Sequence, residues 1–188
     1  MDVEKMTDDL MTVPFNPQDA SEASWSAWFA VSESVFREFN PKSRLPDRGV
    51  VKRRLSVASP LYRTERFLVF DCAKTPVAVM SFGYETERSP SYELDKNIGY
   101  ITIQVEKTVR RNRIASRLLR DLLGKARQMN KTAIVGEVDT TPGRKFCEAY
   151  TEKWFTRKCS TGWSWTTPTG RRRPFGGKGQ KKVSGHHL

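Results

Sequence analysis

"IGYITIQVEKTVRRNRIASRLL", residues 98–119, decides how the rest of the chain is read. Its first half alternates, with Ile101, Ile103 and Val105 on one side, the period-two pattern of a half-buried strand. From Ile114 the period becomes helical, and Ala115, Leu118, Leu119, Leu122, Leu123, Ala126 and Met129 form one apolar stripe. Between strand and helix lies "TVRRNR", residues 108–113, with Arg110, Arg111 and Arg113 where the chain changes direction. A helix N-terminus offers unpaired N–H groups and the positive end of the helix dipole, so this turn suits an anion. The same residues also fit a solvated helix face: between Lys107 and Lys131 nine basic side chains accompany a single acid, Asp121.

Working outward, "RFLVFDC" (66–72) and "PVAVMSFGYE" (76–85) read as two strands of a hairpin joined by "AKT". "LMTVPF" (10–15) reads as a short edge strand, because Pro14 cannot donate to a central ladder. "DASE" (19–22) has capping-box spacing and precedes the helical stripe Trp25, Trp28, Phe29, Ser32, Val35, Phe36 and Phe39, which stops at Asn40-Pro41. "RGVVKRRLSVAS" (48–59) is ambiguous, and "TERSPSYELDKN" (86–97) reads as a loop. "TAIVGEV" (132–138) is a short strand, residues 144–155 a helix, and residues 161–167, with Trp163 and Trp165, a last strand. The order implies a mixed α/β domain.

The chain is long enough for one well-buried core, and a hydrophobic fraction of 37% is ordinary for a folded domain. Lys plus Arg is 33 against Asp plus Glu at 21, a net charge of +12, which favours an anionic partner. Cys72, Cys147 and Cys159 form no CxxC pair, so neither a disulfide scaffold nor a zinc knuckle is indicated. The only histidines, His186 and His187, lie at the C-terminus, which leaves a Ser-His-Asp or Cys-His arrangement without its base, and Cys147 reads as a structural thiol. No apolar run approaches the roughly 18–20 residues of a membrane span, and the expectation is a soluble cytoplasmic protein. Residues 1–9 read as a flexible N-terminus, 10–168 as the domain and 169–188 as a basic, Gly-rich disordered tail. That tail suits salt-dependent contact with nucleic-acid phosphates or a merely solubilising role.

The element order and the residues 98–155 resemble the GNAT superfamily of acetyl-CoA-dependent N-acyltransferases. In that family the fourth strand leads into an Arg/Gln-x-x-Gly-x-Gly/Ala turn that opens a helix. Here Val105 takes the strand-end valine position, Arg110 the first residue of the turn, Arg113 the first glycine and Ala115 the last Gly/Ala position. The family's Tyr followed, after three intervening residues, by Gly-Phe is matched by "YTEKWF", with Tyr150, Phe155, and Trp154 in the glycine place.

The resemblance implies a central mixed, mostly antiparallel sheet flanked by helices, with a V-shaped cleft between strands 4 and 5. It implies acetyl-CoA as the acetyl donor, held by Ile103, Gln104 and Val105 along the pantetheine and by Arg110, Arg111, Asn112, Arg113, Ile114, Ala115 and Ser116 around the diphosphate. It further implies direct attack by an amine, Tyr150 as general acid to the leaving thiolate, and Glu106 or Glu85 as candidate bases. No metal is required. The basic surface points to an acidic protein or RNA as acceptor; the alternative is a non-catalytic module of this fold that binds nucleic acid or a protein through that surface. A left-handed Arg113 would cost about 1–2 kcal/mol, whereas a helical one with its side chain outward would not, and the site is expected to survive the replacement.

Overall fold

The computed structural model describes residues 10–136, 143–147, 155–159 and 162–166, the last two as strand backbone. Residues 1–9, the tail at 169–188, Tyr150 and Trp154 lie outside the described residues. Strands β1 (Met11–Pro14), β2 (Tyr62–Phe70), β3 (Pro76–Glu85), β4 (Ile98–Val105), β5 (Ala133–Gly136), β6 (Phe155–Cys159) and β7 (Gly162–Thr166) form one sheet in the order β1-β2-β3-β4-β5-β7-β6. All neighbours are antiparallel except β4 and β5. A parallel pair needs a crossover, and helix α4 (Ile114–Gln128) supplies it.

Alternation along the strands builds two cores. On one face Val69, Met80, Phe82 and Ile134 pack with Ile114, Leu118, Leu122 and Ala126 of α4, the stripe read from the sequence. On the other, Leu68 and Val79 meet Phe15 and Trp25, Phe29 and Val31 of helix α1 (Glu22–Phe39). Helix α2 (Arg48–Ser56) closes that side, with Arg48 bonded to Glu33 at 2.6 Å and Lys52 to Glu22 at 2.7 Å. Gly99 is where the sheet meets the first core: a Cβ there would stand 2.6 Å from Phe82 Cε2 and 2.9 Å from Ile134 Cδ1.

Local chemistry corrects several expectations. Ser21, not Asp19, caps α1, its hydroxyl accepting from the Ser24 amide at 3.2 Å, because Asp19 is used in a turn back to the Asn16 carbonyl. The ambiguous stretch is helical because the Asp47 carboxylate accepts from the Val50 amide at 2.9 Å and outweighs the weak helix former Gly49. The expected loop at 86–97 holds a one-turn helix, α3 (Tyr92–Asp95), too short to show any period. The expected helix at 144–155 is helical at 143–147, but Phe155 opens β6, whose pairing with β7 wins over the local apolar pattern.

Candidate functional site

Strand β4 is paired on both sides only over part of its length. Against β5 the ladder runs from Ile98–Ala133 to Ile101–Gly136, whereas against β3 it runs from Tyr100 to Val105. The described part of β5 ends at Gly136, so beyond Ile101 the β5-side edge of β4 has no partner among the described residues. The Glu106 amide donates to the Val77 carbonyl at 2.9 Å. In an antiparallel ladder this makes Gln104, Thr102 and Tyr100 the residues whose N–H and C=O turn to β3. Ile103 and Val105 turn theirs to the β5 side. Gln104, expected beside them, thus has its backbone committed to Val79 and offers that side no main-chain group.

Strand β4 runs into the turn that leads to α4. After the 3₁₀ turn Lys107–Val109, Arg110 is extended, Arg111 has φ 71° and Arg113 has φ 56°. Both arginines are left-handed without being glycine, each at a cost of about 1–2 kcal/mol. Glycine's conformation has been kept although glycine's identity has not, and the left-handed Arg111 had no signal in the sequence. Their side chains are exposed, which leaves the backbone side of the turn uncovered by them. The first helical bond runs from the Arg117 amide to the Arg113 carbonyl at 3.0 Å. Among the described residues no acceptor meets the amides of Arg111, Asn112, Arg113, Ile114, Ala115 or Ser116. Ile114, Leu118 and Leu119, all buried, fix this helix end against the sheet.

Arg110 is placed otherwise than the resemblance implies. Its Nε donates to the Val105 carbonyl at 2.9 Å and its Nη1 to Glu38 Oε1 at 2.7 Å. Its Nη2 lies 2.7 Å from Glu38 Oε2, off the hydrogen-bond axis, so that oxygen is held by charge rather than by a directed bond. The guanidinium also lies 5.9 Å from the Phe39 ring. Its charge is already matched.

The two candidate bases fall at opposite ends of β4. Glu106 follows its last residue, beside the turn, and its carbonyl accepts from the Val109 amide at 3.2 Å. Glu85 pairs with Tyr62, past the Gly83–Tyr100 register, and so lies about 26 Å away at roughly 3.3 Å per residue. Around Glu85 lies a group that the sequence did not single out. Tyr62 and Tyr100 have ring centroids 5.8 Å apart. Burial, then Tyr100 and Glu85, pushes the Tyr62 phenol well above its usual range. Burial, then Asp95 and Glu85, raises Tyr100, and burial, then Glu85, raises Asp95. Tyr100 precedes Ile101, so this group lies beside the last described β4–β5 pair. Beyond α1, an open groove is lined by Arg37, Pro41, Ser43, Arg44 and Leu45. Cys147 is buried, as a structural cysteine would be.

The sequence matches no known family profile, and no curated protein is detectably similar to it. Solved structures are similar in three dimensions. A tandem GNAT protein from the clavulanic acid biosynthesis pathway superposes with a TM-score of 0.59 at 16% identity over 80% of this chain. The fold is that of the GNAT acetyltransferases. This chain spans 45% of that tandem protein. It spans nearly all of two other GNAT structures. A GCN5-related N-acetyltransferase from Kribbella flavida has a TM-score of 0.56 and 13% identity, covering 85% of this chain and 95% of that one. A GNAT-family acetyltransferase from Staphylococcus aureus Mu50 has a TM-score of 0.56 and 12% identity, covering 84% and 98%. The parallel β4–β5 pair is the feature of this fold that bears on a site. Among the described residues no helix is long and apolar enough to cross a membrane.

Proposed function

We propose that the protein is an N-acetyltransferase that uses acetyl-CoA and acts on an amine of an acidic protein or RNA. The observation that supports this reading is the turn directly after β4, the strand paired in parallel with β5, whose six successive amides, Arg111 to Ser116, meet no acceptor among the described residues. Those groups fit the donor: a run of free N–H groups at a helix N-terminus suits a diphosphate, and a free strand edge suits the amides of a pantetheine arm. Bound acetyl-CoA supplies a thioester whose carbonyl carbon the acceptor nitrogen attacks directly, forming the C–N bond as the C–S bond breaks.

The chain's residues divide the remaining work. Ile103, through both its main-chain groups, and Val105, through its N–H, hold the arm. The backbone from Arg111 to Ser116 holds the phosphates, and the exposed guanidinium groups of Arg111 and Arg113 add charge there. Arg110 supplies no phosphate ligand, its guanidinium being taken by Val105 and Glu38 and its N–H by the Lys107 carbonyl. Glu85 takes the attacking amine's proton: it stands on the side of Tyr62 and Tyr100, whereas a carboxylate at Glu106 stands beside the phosphate turn, where its charge is repelled. Tyr150 returns a proton to the leaving thiolate, general-acid work worth on the order of 10²–10⁴ in rate. The open groove at Arg37 and Arg44 and the net charge of +12 favour an acidic acceptor.

Calorimetry with acetyl-CoA tests the binding step, with micromolar binding expected. Peptide and RNA libraries bearing primary amines, followed by mass spectrometry, test the transfer. Binding without transfer to any amine would favour the non-catalytic module. Absence of binding would end the transferase reading.

A further inference from the structure

We infer that Glu38 is a positioning residue for the turn at residues 110–116, and that Arg110 is its clamp rather than a phosphate ligand. The inference rests on the transferase reading above in taking a CoA diphosphate as the turn's ligand. Its basis is the use of the guanidinium on two sides. Nε holds the carbonyl of Val105, the last residue of β4, while the Nη pair holds a carboxylate on α1, 72 residues away in the chain. Both side chains are largely shielded, at 22% and 20% exposure, so the pair is little screened by water.

Electrostatics and geometry assign different roles to the same contact. A carboxylate facing a phosphate site opposes anion binding, and Glu38 cancels the charge that Arg110 would otherwise bring. A phosphate ligand so neutralised is a poor one. A clamp so neutralised is a good one, because a planar guanidinium can serve a carbonyl and a carboxylate at once in fixed directions. Val105 and Arg110 bracket the 3₁₀ turn, and Arg110 immediately precedes the left-handed Arg111. Two non-glycine residues at positive φ persist only where their surroundings over-determine them. The Glu38–Arg110–Val105 link is such a surrounding, and it ties the cofactor turn to α1.

Calorimetric titration with CoA separates the two roles. As a clamp, Glu38→Ala and Arg110→Ala each weaken CoA binding by about tenfold, the size expected for breaking a shielded charge-assisted pair. Arg110→Lys behaves like Arg110→Ala, since an ammonium keeps the charge but not the fork. The double variant Glu38→Ala/Arg110→Ala is no weaker than either single one. Glu33→Ala, which breaks another α1 ion pair, should shift the melting temperature yet leave CoA affinity unchanged, and so controls for loss of stability alone. If Arg110 were a phosphate ligand, Glu38→Ala would bind CoA equally or more tightly and Arg110→Lys would retain most of the affinity. That result overturns the inference and leaves the transferase reading standing. Failure of the wild-type chain to bind CoA overturns both. Should Glu38→Ala not fold, Arg110→Lys against wild type decides alone.

Discussion

The phenol of Tyr62 lies over Gly83, in the space that a Cβ on that residue would occupy. Because the ring is the far end of a flexible side chain, Gly83→Ala should displace it with little effect on folding. The displaced phenol gains water, and its pKa should fall from its raised value toward that of a free tyrosine. Tyrosinate absorbance against pH reads this directly, and an unchanged titration would mean that the ring has not moved. If the Tyr62–Tyr100 group borders the acceptor, the same variant loses transfer while keeping acetyl-CoA affinity.

Gly99→Ala should behave differently. Its Cβ would meet Phe82 and Ile134 inside the packed core beneath β4, where neither neighbour has free space. Overpacking of this kind costs about 1–3 kcal/mol. Urea unfolding should show a lower midpoint with an unchanged slope.

Arg113→Gly should stabilise the fold slightly. Relief of a left-handed Cβ is worth about 1–2 kcal/mol, and the added freedom of the unfolded glycine chain returns about 0.4–1 of that. The expected net gain is roughly 1 kcal/mol, seen as a higher melting temperature. Arg113→Ala removes the charge but keeps the strain and should show no such gain. A glycine variant less stable than wild type would contradict the left-handed assignment.

Two acids should give opposite pH signatures. The hydrogen bond from Arg48, aided by its charge, holds the Glu33 carboxyl below its usual range despite some burial. Its stabilisation is present above the unfolded pKa and lost as pH falls through the folded one. Burial and Glu85 hold Asp95 above its usual range. Its stabilisation belongs to the protonated form and is lost as pH rises from the unfolded pKa through the folded one. Glu33→Gln should therefore lower stability at about pH 6 and Asp95→Asn should raise it, with both effects fading near pH 2–3. Urea midpoints across that range check both signs.

Most of the sheet was legible in local pattern. The alternation through Ile101, Ile103 and Val105 and the stripe from Ile114 to Met129 each reflect one face of one element, which neighbouring residues report. The turn was legible only as a location. Its residue types pointed to an anion site, but the left-handed Arg111 has no compositional mark, and Arg110 looks the same in sequence whether it binds phosphate or a carboxylate. Glu38 carried no signal, since nothing near it in the chain indicates a partner 72 residues away. Asp95 was hidden in a helix of one turn, and Tyr62 and Tyr100 read as ordinary strand aromatics.

The amino-acid order alone determined most of the strands, the two long amphipathic helices and where a basic strand-to-helix turn falls, because hydrophobic period and turn chemistry act over a few residues. Only the tertiary structure decided that β4 pairs in parallel with β5, which main-chain groups of β4 face that side, and that the Arg110 charge is met by Glu38. Those outcomes depend on register and on contacts between distant segments, which no local pattern encodes.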